Sequence, residues 1–160
     1  MSQIDNHLKW CFNDERRLVK TKPDTELAQK HLSKSEYNYG VLQTLEKLNI
    51  YDWALNIGFY SIYHCFLAIL SKYGYQSKNQ SCTITVLLYL IDQKKINFDK
   101  KLVLQFDTLD IEKDMISTTI RKEREISTYG VETSIDLQQL KSIKEMIVKV
   151  QRETIKILAE

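Results

Sequence analysis

The sequence has 160 residues, enough for one hydrophobic core and short for two. Four glycines and one proline are too few for the tight turns of a sandwich or barrel, whereas the Leu, Ile, Lys, Glu and Gln content suits helices. The 23 basic and 21 acidic residues leave a formal charge of +2, which excludes the large positive excess of a general duplex binder and restricts any nucleic-acid contact to a local patch.

In chain order, Ile4, Leu8, Cys11, Phe12, Leu18 and Val19 fall on one helical face opposite Asp14 and Arg17, predicting a first amphipathic helix broken at Thr21 to Pro23. Asp24 is placed to cap a second helix, with Ala28, Leu32, Tyr39, Leu42 and Leu45 at helical steps, ending near Asn49. A third helix, from about Asp52 to Tyr73, carries apolar residues around most of its circumference, as a helix in the middle of a bundle does. Its apolar run, Trp53 to Leu70, is short for a bilayer, which needs ~20 residues. Gly74 is placed to end it, and Gln76 to Gln80 reads as a short polar connection. Thr83 to Gln93 favours a fourth helix, although Thr83, Ile84, Thr85 and Val86 would also suit a strand. After a loop or cap at Asn97 to Lys101, a long helix is predicted from Leu102 to about Ser127, with Gly130 marking its end. Ser134 is placed to cap a last helix, striped by Leu137, Leu140, Ile143, Ile147, Val150 and Ile157. The expected fold is a single all-α domain over residues 1–160, an up-and-down bundle of five to six helices.

Cys11, Cys65 and Cys82 are odd in number and lack a Cys-x-x-Cys spacing, so they read as small core residues in a reducing cytosol. His7, His31 and His64 are far apart in sequence; His7 with Cys11 and His31 with Glu36 are only loose pairs, so no metal site is expected. No phosphate-binding glycine loop and no Gly-x-Ser-x-Gly elbow are present.

Two segments stand out. The first is Gly58-Phe59-Tyr60-Ser61-Ile62-Tyr63-His64-Cys65-Phe66, followed by Tyr73-Gly74-Tyr75 and Ser77-Lys78. By its residues alone it is core helix, with tyrosine hydroxyls and His64 needing partners. The second is Arg121-Lys122-Glu123-Arg124-Glu125-Ile126-Ser127-Thr128-Tyr129-Gly130, a charged face rich in local ion pairs.

Together these segments resemble the HEPN superfamily of helical proteins, and in particular its small stand-alone members. The marker is an aromatic pair followed by a small residue, an aromatic and a histidine, here Phe59-Tyr60-Ser61-Ile62-Tyr63-His64, in a helix ending in Gly and a Ser-Lys turn. The likeness in helix order runs from about Ala28 to Gly130.

The resemblance implies a homodimer that binds RNA or a nucleotide in a shared groove, without a cofactor or metal. Many such proteins are metal-independent ribonucleases with an Arg followed four to six residues later by His; the guanidinium holds the scissile phosphate and the imidazole moves the proton of the 2′-OH. Here that spacing brings Ser127 into the histidine's place when counted from Arg121, and Tyr129 when counted from Arg124. The implied catalytic set is therefore Arg124, Ser127 and Tyr129, with Arg121, Lys122 and Lys78 as nucleic-acid-binding residues. Hydroxyls hold their protons at pH 7, so cleavage is expected to be weakened or absent. The resemblance further implies the toxin-like half of a toxin–antitoxin module, in which a minimal nucleotidyltransferase modifies Tyr129. The alternative is a non-catalytic helical adaptor for such a partner.

Overall fold

The computed structural model describes residues 2–106 and 137–160. Over these the protein is mostly helical: α1 (Gln3–Phe12), α2 (Thr25–Lys47), α3 (Tyr51–Lys72), α4 (Gln80–Asp92), α5 (Lys100–Phe106) and α6 (Leu137–Ala159). A two-stranded antiparallel ribbon of β1 (Leu18–Lys20) and β2 (Tyr75–Ser77) accompanies them.

The ribbon corrects two expectations. The first helix stops at Phe12 instead of running through Val19. Asn13 caps it, and Asp14 turns the chain by accepting the backbone N–H of Arg16 at 2.9 Å, while its carbonyl takes the Arg17 N–H at 2.8 Å. Side-chain competition of this kind is why Asn and Asp favour caps and turns over helix interiors. Leu18 and Val19 then extend opposite Ser77 and Gln76, so Gln76 and Ser77, expected in a polar connection, belong to a strand. Gly74 makes that return possible: its φ is +80°, and a Cβ would lie 2.5 Å from the Thr21 carbonyl oxygen, which accepts no closer neighbour than glycine allows.

The expected second, third, fourth and last helices are present as α2, α3, α4 and α6. A capping box starts α1, with Ser2 Oγ accepting the Asp5 N–H and the Asp5 carboxylate accepting the Ser2 N–H. Asp24 caps α2 by accepting the Leu27 N–H at 2.9 Å. α4 is a helix and not a strand: Asn79 Oδ1 caps it at the Cys82 N–H, and the buried Thr83 and Thr85 hydroxyls are satisfied by the carbonyls of Asn79 and Ser81. α5 overlaps the start of the predicted long helix and begins two residues before it, at Lys100; the continuation to Ser127, the Gly130 end and the Ser134 cap lie outside the described residues.

The α2–α3 hairpin is the spine. His31 meets His64, Ser35 meets Ser61, and Leu42 meets Gly58, so the two helices run antiparallel. In α6, Ile143 packs on Gly58, Gln151 reaches Ser35 and Lys144 pairs with Glu46 at 2.8 Å, so α6 runs parallel to α3 and antiparallel to α2. The Lys72 ammonium donates to the carbonyls of Ile157 and Glu160, complementing the C-terminal dipole of α6. By length and composition α3 could cross a membrane, yet 67% of its apolar window is buried against neighbouring elements. It carries the core through Phe59, Ile62, Phe66, Ile69 and Leu70, all at most 2% exposed.

Candidate functional site

Five of the residues singled out from the sequence, Arg121, Lys122, Arg124, Ser127 and Tyr129, lie outside the described residues. Lys78 is described: it is exposed at the junction of β2 and α4, where its backbone N–H donates to the Arg17 carbonyl at 3.0 Å. The aromatic run of α3 is described completely. Phe59 stacks on Phe106 at a centroid distance of 4.5 Å, Phe66 meets Phe106 edge-on at 4.9 Å, and Tyr63 stacks on it at 6.0 Å. Phe106 is fully buried in this aromatic clamp. Each such pair adds roughly 0.5–1.5 kcal/mol beyond area burial.

The remaining residues of that run build a polar seam where α2, α3 and α6 meet. Ser61 Oγ donates to the Ser35 carbonyl at 2.8 Å, which uses its only proton. Ser35 Oγ accepts from Gln151 Nε2 at 3.1 Å, and its own proton points to Ser61 Oγ or to Cys65 Sγ. Burial pushes the Cys65 thiol up to about 11, so it stays protonated at neutral pH and is no nucleophile. At the half-buried end of the seam, His31 Nδ1 lies 3.0 Å from His64 Nδ1. Burial, then the nearby His31 and Lys34, depresses His64 to about 4, and burial lowers His31 as well. Both rings are therefore neutral at pH 7. One carries its proton on Nδ1 and donates it to the lone pair of the other. Two histidines that the sequence left apart thus form one coupled pair.

A second constellation lies where α1 meets the start of α4. Cys11 and Cys82, expected as separate reduced thiols, are joined by a disulfide across a sequence separation of 71. The cause is tertiary: α1 packs against α4 and brings the two buried sulfurs together, which no local spacing reveals. His7 sits beside them, stacked on Trp10 with ring centroids 5.1 Å apart, and the Arg17 guanidinium lies over the other ring system at 3.7 Å from the Trp10 centroid. Desolvation first, then the Arg17 charge, lowers the His7 pKa. The ligand atoms of His7, Cys11 and Cys82 all fall within 4.8 Å of one another. Sequence reasoning noted the His7–Cys11 spacing but had no signal for Cys82.

Two surface clefts differ in character. One between the 94–99 loop and α6 is lined by Asn97, Phe98, Asp99, Lys149, Arg152 and Glu153, so its acids offset its bases. Another runs along the outer face of α2 over Tyr37, Gly40, Val41 and Thr44. No protein-family model matches the sequence, and no curated protein matches it.

Proposed function

We propose that this chain is an HEPN-like protein that binds RNA or a nucleotide in the groove of a homodimer, through Arg121, Lys122 and Arg124, with Lys78 as a further contact. The observation that supports it is the aromatic clamp. Phe59 and Tyr63 of the marker, with Phe66 beyond it on α3, grip Phe106 in the stretch of chain that leads on to the cationic segment. A clamp of this kind would give that segment a rigid root, and phosphate recognition by guanidinium groups depends on such positioning. His64 is hydrogen-bonded to His31 through Nδ1 and is held down to about 4 by burial, a weak base at neutral pH. Chemistry would fall to Arg124 with Ser127 and Tyr129, hydroxyls that make poor bases, and binding with little or no metal-independent cleavage is the expected activity.

The rival reading, an adaptor for a minimal nucleotidyltransferase with Tyr129 as the modified residue, draws on a different feature. Leu48, Ile50 and Trp53 expose apolar side chains together at the α2–α3 turn, with Trp53 52% exposed, and such a cluster suits a protein partner. A toxin–antitoxin pair in the cytoplasm would accommodate both readings.

Fluorescence anisotropy with a mixed-sequence single-stranded RNA, together with gel analysis of the RNA after incubation, separates them. Wild type should bind and cut little, and Arg121→Ala/Arg124→Ala should lose binding by at least tenfold. An absence of binding by wild type, or undiminished binding by the double variant, would overturn the RNA reading.

A further inference from the structure

We propose that Cys11, Cys82 and His7 form a redox-gated zinc site, closed as a disulfide when oxidised and able to hold one Zn²⁺ when the two sulfurs are reduced. Nothing in this inference rests on RNA binding. Its first support is geometric. A tetrahedral Zn²⁺ with bonds of about 2.3 Å to sulfur and 2.0–2.1 Å to nitrogen needs its ligand atoms roughly 3.5–3.8 Å apart. One donor atom from each of the three side chains already lies within 4.8 Å of the others, close to the spacing that a tetrahedral ion needs.

The second support is how the ligands are held. His7 and Cys11 are four residues apart on one face of α1, and Cys82 stands in the first turn of α4. A helix N-terminus favours a thiolate, and the Arg17 guanidinium stacked on Trp10 adds positive charge to the same corner. Both sulfurs are fully buried, and two thiolates with one Zn²⁺ make a neutral group, the only charge state that burial favours.

The third support is the hydrogen-bonding around the imidazole. Asn79 Oδ1 accepts the Cys82 backbone N–H at 3.1 Å, which fixes that atom as the oxygen, and Ser81 Oγ donates to it at 2.7 Å. Having spent its proton there, Ser81 Oγ must accept at its 3.2 Å contact with His7 Nε2. His7 therefore carries its proton on Nε2 and keeps a lone pair on Nδ1, and the Asn79–Ser81–His7 chain orients the ring as the outer partners of a ligating histidine do. A solvent molecule reaching the site beside the exposed Trp10 would complete the fourth position.

The chemistry balances with a cellular thiol as reductant. Two thiols of that class deliver two electrons and two protons to the Cys11–Cys82 bond and leave as their own disulfide; Zn²⁺ then displaces the two cysteine protons to solvent. The α1–α4 link would survive in an oxidising or a reducing compartment, as a covalent bond in one and a metal bridge in the other.

The test uses the full-length protein, reduced with a phosphine, stripped with a chelator and titrated with ZnCl₂ against a chromophoric zinc indicator. Circular dichroism is recorded throughout. Reduced wild type should take up one equivalent of Zn²⁺, oxidised wild type none, and reduced Cys82→Ser none. Reduced His7→Gln should bind at least ~100-fold more weakly, the upper end of what loss of an outer-shell partner costs. Co²⁺ in place of Zn²⁺ should give a thiolate-to-cobalt charge-transfer band that Cys82→Ser lacks. If the stripped, reduced protein loses helicity, Zn²⁺ should restore it. Failure of reduced wild type to take up the metal, failure of Zn²⁺ to restore lost helicity, equal uptake by the oxidised protein, or undiminished affinity in His7→Gln would each overturn the proposal.

Discussion

Acidification through the His31–His64 pair should weaken the fold in a window set by His64. In the folded protein His64 is depressed to about 4 from its ordinary 6.5, so the unfolded chain binds more protons between those values. Stability is then fully present above about pH 6.5 and is lost as pH falls toward 4. Linkage between pH 7 and pH 5 gives about 1.8 kcal/mol for a fully buried group, and roughly 1 kcal/mol once the half exposure of His64 is allowed for. The structural cause is first the burial of the His64 ring, to which the nearby His31 and Lys34 add. Urea unfolding followed by circular dichroism at pH 7 and pH 5 measures the loss, and His64→Gln should flatten the pH dependence by the share of His64, leaving that of His31 and His7, which burial also lowers. That variant also gives up a hydrogen bond at pH 7, so the comparison is between the two pH slopes. The carboxyls of Asp5, held down by Ser2, and Asp14, held at about 2 by Arg16, titrate below this window and do not confuse it. Equal slopes in wild type and His64→Gln would refute the reasoning.

Relative to the disulfide-bonded wild type, Cys11→Ser/Cys82→Ser should lose roughly 2–4 kcal/mol, since chain entropy for a closed loop of this length sets a ceiling near 4.4 kcal/mol. A fall in Tm of about 5–15 °C follows, and a metal-free melting curve unchanged by the variant would contradict the cross-link. Gly58 sits where α3 crosses α6: a Cβ there would stand 2.8 Å from Ile143 Cδ1 and 3.0 Å from Leu42 Cδ1. Both are ends of flexible side chains, and alanine regains about 1 kcal/mol of helix propensity, so Gly58→Ala should stay within ~1 kcal/mol of wild type. Gly58→Val should overpack the crossing by about 1–3 kcal/mol in the same urea assay, and a valine variant as stable as wild type would mean that α6 does not press on α3 at this point.

The helices were legible in the sequence because their signals are local and repeated. The Asp24 cap, the apolar girth of α3 and the glycine after it all sit at fixed offsets from the elements they delimit. The ribbon was missed because strands of three residues, Leu18–Lys20 and Tyr75–Ser77, are too short to show a period of two, and Leu18 and Val19 happen to continue the apolar spacing of α1. Asn13-Asp14 was the available signal for the break. His31 and His64 were readable in principle: a tight turn centred near Leu48 in an antiparallel helical hairpin sets residues equally distant from it side by side, which places 31 against 64 and 35 against 61. Cys11 and Cys82 had no such rule, since only the docking of α1 on α4 joins them.

The central claim, that Arg121, Lys122 and Arg124 of two copies hold RNA phosphates in one groove, is tested most directly by the salt dependence of affinity for a single-stranded RNA. Six cations shared by two copies predict a slope of log K against log salt near −4, and about −5.6 with Lys78 of each copy, at about −0.7 for each phosphate neutralised. The triple alanine variant, which keeps only Lys78 in each copy, should show a slope no steeper than about −1.4 wherever binding can still be measured. A wild type that does not bind, or a variant that keeps the wild-type slope, would contradict the account.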